Sequence, residues 1–110
     1  MRQDTTILQS EPYSTIYNSL SSGSNNGVNM PTLCARTGLN EREIRKAVET
    51  MRLDGTVILS GSTGYYLPDS TAELRAFIRQ EEARAKANRR KLSGAKRLYN
   101  EWTRDGDNHG

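Results

Sequence analysis

Apolar positions in this chain follow two different periods, and each period predicts its own elements. Ile16, Tyr17 and Leu20 recur at helical spacing and predict a short first helix, with Pro12 tolerated in its first turn. Ser21, Ser22, Gly23, Ser24, Asn25, Asn26 and Gly27 follow as a polar loop with nothing to bury. Burial resumes at Val28. Asn29 predicts an N-cap, and Pro31 fits the first turn of a second helix. Leu33 and Cys34 take the inner face of that helix, Gly38 ends it, and Leu39 packs inside the turn. Asn40 then caps a third helix, with Glu43 placed for a capping box. Ile44, Val48 and Met51, with Ala47 beside them, form one apolar stripe along it, and Gly55 stops it.

From there the period changes to two. Residues 56–60 and 64–67 predict the strands of a hairpin, joined by Gly61, Ser62 and Thr63. Alternation puts Tyr65 and Leu67 on one face and Tyr66 on the other, and Pro68 ends the strand. Asp69, Ser70 and Thr71 open a long helix, with Glu73 supporting its first turn. Nothing breaks helix between residues 71 and 92, a span of about 33 Å at ~1.5 Å per residue. Ser93 and Gly94 mark a kink or an end, after which residues 95–102 add further turns. The predicted class is mainly α with a small β-hairpin. The predicted parts are a flexible N-terminus over 1–11, a domain over 12–68, a long C-terminal helix over 69–103 and a disordered tail over 104–110.

Composition narrows the function classes. With 34% hydrophobic residues in 110, the core must be small, and the formal net charge of +3 is compatible with a nucleic-acid partner without requiring one. Cys34 is the one cysteine, so no intramolecular disulfide is expected. No apolar run approaches a membrane span and the first residues lack the apolar stretch of a signal peptide, so a cytoplasmic protein off the membrane is expected. The one histidine, His109, falls in the tail, and no Cys/His cluster or glycine-rich phosphate loop with a lysine occurs. The reading is therefore of a non-enzyme, with no catalytic residue, metal or cofactor.

The stripe on the third helix leaves Glu41, Arg42, Arg45, Lys46, Glu49 and Arg52 outside. Arg42, Arg45, Lys46 and Glu49 share one exposed face by their spacing. Arginine can bridge guanine O6 and N7, lysine can reach bases or phosphates, and Glu49 is placed either to accept from cytosine or to pair with Arg45 or Arg52. Such a face on an isolated helix reads as a solvated surface laced with ion pairs. Its setting, behind a tight Thr37-Gly38 turn and ahead of a hairpin, favours DNA contact instead.

Three segments now carry a resemblance: Leu33-Cys34 before Thr37-Gly38, Met51-Arg52-Leu53-Asp54-Gly55, and Gly64-Tyr65-Tyr66-Leu67. Residues 28–67 resemble the winged helix-turn-helix domains of bacterial and phage regulators, such as the N-terminal domain of the biotin ligase repressor. The resemblance implies a winged helix-turn-helix followed by a long C-terminal helix, with the helix over 40–53 in the major groove of double-stranded DNA. Arg42, Arg45 and Lys46 would make the main contacts, with Asn40, Glu41 and Glu49 beside them. Thr32 and Arg36 would hold the DNA backbone, and Ser60, Ser62 and Thr63 of the wing would lie near the minor groove. Cys34 would fill a small-residue position where two helices pass, buried and structural. The wing departs from the pattern: no Lys or Arg occurs between Gly55 and Pro68.

The C-terminal helix adds a second basic surface, with Arg84, Lys86, Arg89, Arg90, Lys91, Lys96 and Arg97 and no acid among them. Its apolar seam is thin, running through alanines to Leu92 and then Ala95, Leu98, Tyr99 and Trp102. Exposure of Leu92, Leu98, Tyr99 and Trp102 would be costly, so a homodimer or partner interface is expected there. The overall layout also resembles small phage and prophage proteins. The expected function is a dimeric, sequence-specific transcriptional regulator. The alternative is a winged-helix adaptor in a phage replication or assembly complex, where the basic helix would bind a protein.

Overall fold

A computed structural model describes residue 3 and residues 5–104. The chain is mainly helical, with one two-stranded antiparallel hairpin and a long C-terminal helix, as the pattern predicts. It divides into a compact unit running to Leu74 and a second unit beginning at Arg75.

In the first unit, helix α1 (Tyr13–Asn18) buries Ile16 and Tyr17. Helix α2 (Met30–Thr37) starts where the Asn29 side chain accepts the Thr32 N–H and ends at Gly38, whose φ of 73° suits a residue without Cβ. Helix α3 (Glu41–Leu53) opens with a complete capping box. Asn40 Oδ1 accepts from the Glu43 N–H at 2.8 Å, and Glu43 Oε1 accepts from the Asn40 N–H at 3.0 Å. Ile16, Leu33, Ile44, Val48, Met51 and Ile58 are the most fully enclosed large side chains and form the centre of the core. Each contributes about 1.5–3 kcal/mol by leaving water.

Strands β1 (Leu59–Gly61) and β2 (Gly64–Tyr66) pair with Leu59 opposite Tyr66 and Gly61 opposite Gly64. β2 is also bonded along its other edge. Val28 and Tyr65 exchange both backbone hydrogen bonds, at 2.8 and 3.1 Å, and Leu67 is bonded to Ser21 and Gly23. Gly64 makes this approach possible: a Cβ there would lie 2.3 Å from the Val28 oxygen, and its φ is 127°.

Several expectations need correction. Residues 1–11 were expected to be flexible, yet the described ones belong to the compact unit. The 3₁₀ turn Thr6–Gln9 buries Leu8. The Gln3 side-chain amide donates to the Val57 oxygen at 2.8 Å and accepts from the Val57 N–H at 2.7 Å, and the Thr5 and Thr56 hydroxyls bond at 2.7 Å. Thr56 and Val57 thus bond to the N-terminal segment, and the ladder is shorter than the predicted strands. Cys34 is half-buried rather than enclosed. α4 (Thr71–Arg104) passes through Ser93 and Gly94 without a break. One interior glycine costs a helix about 1 kcal/mol, too little to end it between strong helix formers. Of the expected tail, Arg104 is the last residue of α4, and the rest, with His109, lies outside the described residues.

The compact unit also extends past residue 68, because Glu73 ties the first turn of α4 into it. Glu73 accepts from the Asp69 N–H at 2.9 Å and the Ser24 N–H at 3.0 Å, while the Ser70 hydroxyl accepts the Glu73 N–H at 3.1 Å. Donation from the Asp69 backbone holds the Glu73 carboxyl below its ordinary pKa, and the hydrogen bond with Glu73 raises the Asp69 carboxyl above its own.

Candidate nucleic-acid interface

Burial and exposure separate cleanly around α3. Ile44, Ala47, Val48 and Met51 are buried, and Glu41, Arg42, Glu43, Arg45, Lys46, Glu49 and Leu53 are exposed. At 3.6 residues per turn, Arg42, Lys46, Glu49 and Leu53 project opposite the buried stripe. Arg42 and Lys46 have no ion pair among the described residues.

Of the other candidates on this helix, Arg45, Glu41 and Asn40 have partners within the helix itself. Arg45 pairs with Glu41 at 2.5 Å, with both side chains more than half exposed. Asn40 uses its Oδ1 in the capping box, leaving its side-chain NH₂ group as the remaining donor. Glu49 was expected to pair with Arg45 or Arg52 unless it met DNA. Neither pair forms: Arg45 turns to Glu41, and Arg52 donates to the Ile58 oxygen at 2.9 Å with its guanidinium 5.7 Å above the Tyr65 ring.

Thr32 and Arg36 do come together, beside Ser21, Asn26 and Asn29 around a shallow polar groove. Arg36 is not free to grip a phosphate with its whole fork, since its Nη1 donates to the Ser19 oxygen at 2.7 Å. In the hairpin, Ser60 and Ser62 are exposed. Thr63 instead donates to the Ser24 oxygen at 2.6 Å and fixes the tip to the preceding loop. The hairpin is thus a short, uncharged projection that is fastened on one side.

Leu53 was missed by the sequence reading. It is 81% exposed, the highest value among the exposed large hydrophobic side chains. The signal was available: Leu53 lies half a turn away from the stripe through Ile44, Val48 and Met51. On a groove-facing helix, an apolar tip at that position would suit a thymine methyl group.

On α4 the expected interface residues are all exposed in the single chain: Leu92 53%, Leu98 46%, Tyr99 66% and Trp102 43%. Among the described residues no helix is long and apolar enough to cross a membrane. No group of three or more His, Cys, Asp or Glu side chains among them is placed to hold a metal ion. No family model, curated protein or solved structure matches the chain.

Proposed function

We propose that residues 12–68 form a winged helix-turn-helix that binds double-stranded DNA, and that the protein is a bacterial or phage transcriptional regulator acting in the cytoplasm. One observation carries this reading. α3 buries one face completely and turns Arg42, Lys46, Glu49 and Leu53 outward from a capped, well-packed helix. In the major groove, Arg42 reads guanine by two hydrogen bonds, Lys46 reaches a base or a phosphate, and Leu53 meets a thymine methyl group. Arg45, Asn40, Arg36 and Thr63 take smaller parts than the sequence suggests, because each already holds a bond within the protein.

The test is a fluorescence anisotropy titration of the full chain against genomic DNA fragments at several salt concentrations, with R42A/K46A as the comparison. A tight complex with one fragment that persists at moderate salt, lost in the variant while its melting temperature is unchanged, supports the proposal. Each phosphate contact removed should shallow the log–log salt slope by about 0.9. Equal, weak and salt-erased binding of both proteins to every fragment overturns it.

The second reading is a protein-interaction adaptor of a phage replication or assembly complex. It is favoured by the exposed Leu92, Tyr99 and Trp102 on α4 and by a hairpin without a single Lys or Arg. Under that reading R42A/K46A leaves function intact, and truncation after Pro68 removes it.

A further inference from the structure

α4 has no break at Ser93 or Gly94, so a single helical register governs residues 75–104. In that register Ile78, Ala85, Leu92, Ala95, Tyr99 and Trp102 fall on one face. With Glu81 and Asn88 they complete an unbroken alternation of three- and four-residue steps, the spacing of a coiled-coil seam. The larger side chains of this seam lie open: Ile78 and Leu92 are each 53% exposed and Tyr99 is 66% exposed. Ala85 and Ala95 give the backbone of another helix room to approach closely.

The flanks say which helix that is. Arg84 and Lys91 border the seam on one side, and Arg89 and Lys96 border it on the other. A parallel second copy would set Arg84 against Arg89 and Lys91 against Lys96, two like-charge contacts per strand. Reversing the second copy in full overlap would set Glu82 against Lys96, while Arg89 and Lys91 would each face their own counterpart at the centre, where no acid occurs between Arg84 and Arg97. Within the helix the basic flank has only weak relief. Glu81 pairs with Arg84 at 3.1 Å, and both side chains are substantially exposed.

We propose that this face of α4 docks an amphipathic helix of another protein whose flanking positions are acidic, forming a heterotypic coiled coil. Its Asp or Glu side chains pair with Arg84, Arg89, Lys91 and Lys96, and its apolar seam covers Leu92, Tyr99 and Trp102. Glu81 and Asn88 sit within the seam and fix the register, since a shifted partner would bury them against apolar side chains. A parallel homodimer through this seam is thereby disfavoured on charge. The inference does not rest on α3 binding DNA.

Trp102 is the chain's one tryptophan, so its emission reports on the seam. The experiment titrates the full chain with a synthetic peptide of about four heptads carrying leucine in the seam, asparagine at the two seam positions that face Glu81 and Asn88, and glutamate on both flanks. A matched peptide carries lysine on the flanks. The expected result is a blue shift of Trp102 emission and binding at least ~10-fold tighter for the glutamate peptide, weakening as salt rises. L92E should lose the shift while keeping its helical circular dichroism, and R84E/R89E/K91E/K96E should reverse the preference towards the lysine peptide. R42A/K46A should bind the glutamate peptide like the parent, which separates this proposal from the DNA reading. The proposal is overturned if neither peptide changes the Trp102 emission or if both bind equally, whether the chain alone sediments as a monomer or as a dimer. It is equally overturned if a DNA duplex gives the same shift as the peptide and L92E does not affect it.

Discussion

α3 and α4 are both amphipathic, and they are stabilised by different physics. α3 has 13 residues, a length at which an isolated helix is marginal in water, and it stands because its stripe fits among Ile16, Leu33 and Ile58. α4 has 34 residues, and none of them is buried. It stands on length and on its Ala, Arg, Lys, Glu and Leu content, residues that favour helix without tertiary help. The difference teaches that periodicity locates an apolar face without saying whether the fold covers it. In α3 the apolar face is buried and the charged side is exposed; in α4 the apolar face itself is exposed.

The most severe test of this comparison truncates one side chain in each helix. Ile44→Ala should cost about 2–5 kcal/mol in urea denaturation, because Ile44 is fully enclosed. Leu92→Ala should stay within about 0.5 kcal/mol, since its exposed side chain loses little by truncation. Comparable losses at both positions would show that the α4 seam is already covered in the isolated protein.

Two glycines give a contrast of opposite sign. Gly64→Ala should destabilise the compact unit by about 1–3 kcal/mol, since its Cβ would strike the Val28 oxygen at a φ of 127°. Gly94→Ala meets nothing within 4 Å and should strengthen α4 by about 1 kcal/mol, seen as increased helical signal at elevated temperature. Removing the α3 cap is a smaller change: Asn40→Ala should cost about 1 kcal/mol in the same denaturation measurement. A loss of DNA binding by this variant larger than its loss of stability would assign its free NH₂ group to the interface.

The smallest expected effect concerns the junction where α4 leaves the compact unit. Glu73 has a lowered pKa in the folded chain, so its contribution is present at neutral pH and is lost as pH falls through the folded value. Asp69 is raised, so its folded form favours the proton and its contribution declines as pH rises through the folded value. Melting curves from pH 7 to pH 3 should show Glu73→Gln less stable than the parent at pH 7 and converging with it at acid pH. Asp69→Asn should be no less stable than the parent at pH 7. A pH profile that neither substitution changes would place the acid sensitivity elsewhere.

What could be read from the sequence followed the range of the interactions. The caps at Asn29 and Asn40, the Gly38 turn and the Ile44–Val48–Met51 stripe are local signals, and each appears where its residues place it. The order of Gln3 against Val57 and the pairing of Val28 with Tyr65 depend on single bonds between distant segments, which leave no period to detect. The candidate site divides in the same way. Arg42 and Lys46 were identifiable as outward residues from spacing alone. That Arg36, Arg45 and Thr63 are occupied depends on where Ser19, Glu41 and Ser24 come to lie. Of these only the i,i+4 pair of Glu41 with Arg45 was within reach of the sequence.

The Gln3 amide has a consequence for how this chain behaves in a crowded solution. Its carbonyl and NH₂ groups act as one borrowed peptide unit, closing both backbone bonds of Val57 just ahead of β1. Open backbone beside a short β-rich run is a template on which another chain can add a strand. Removing Gln3 would leave the backbone N–H and carbonyl of Val57 open beside that run, so aggregation measured by light scattering is expected to rise in Gln3→Ala.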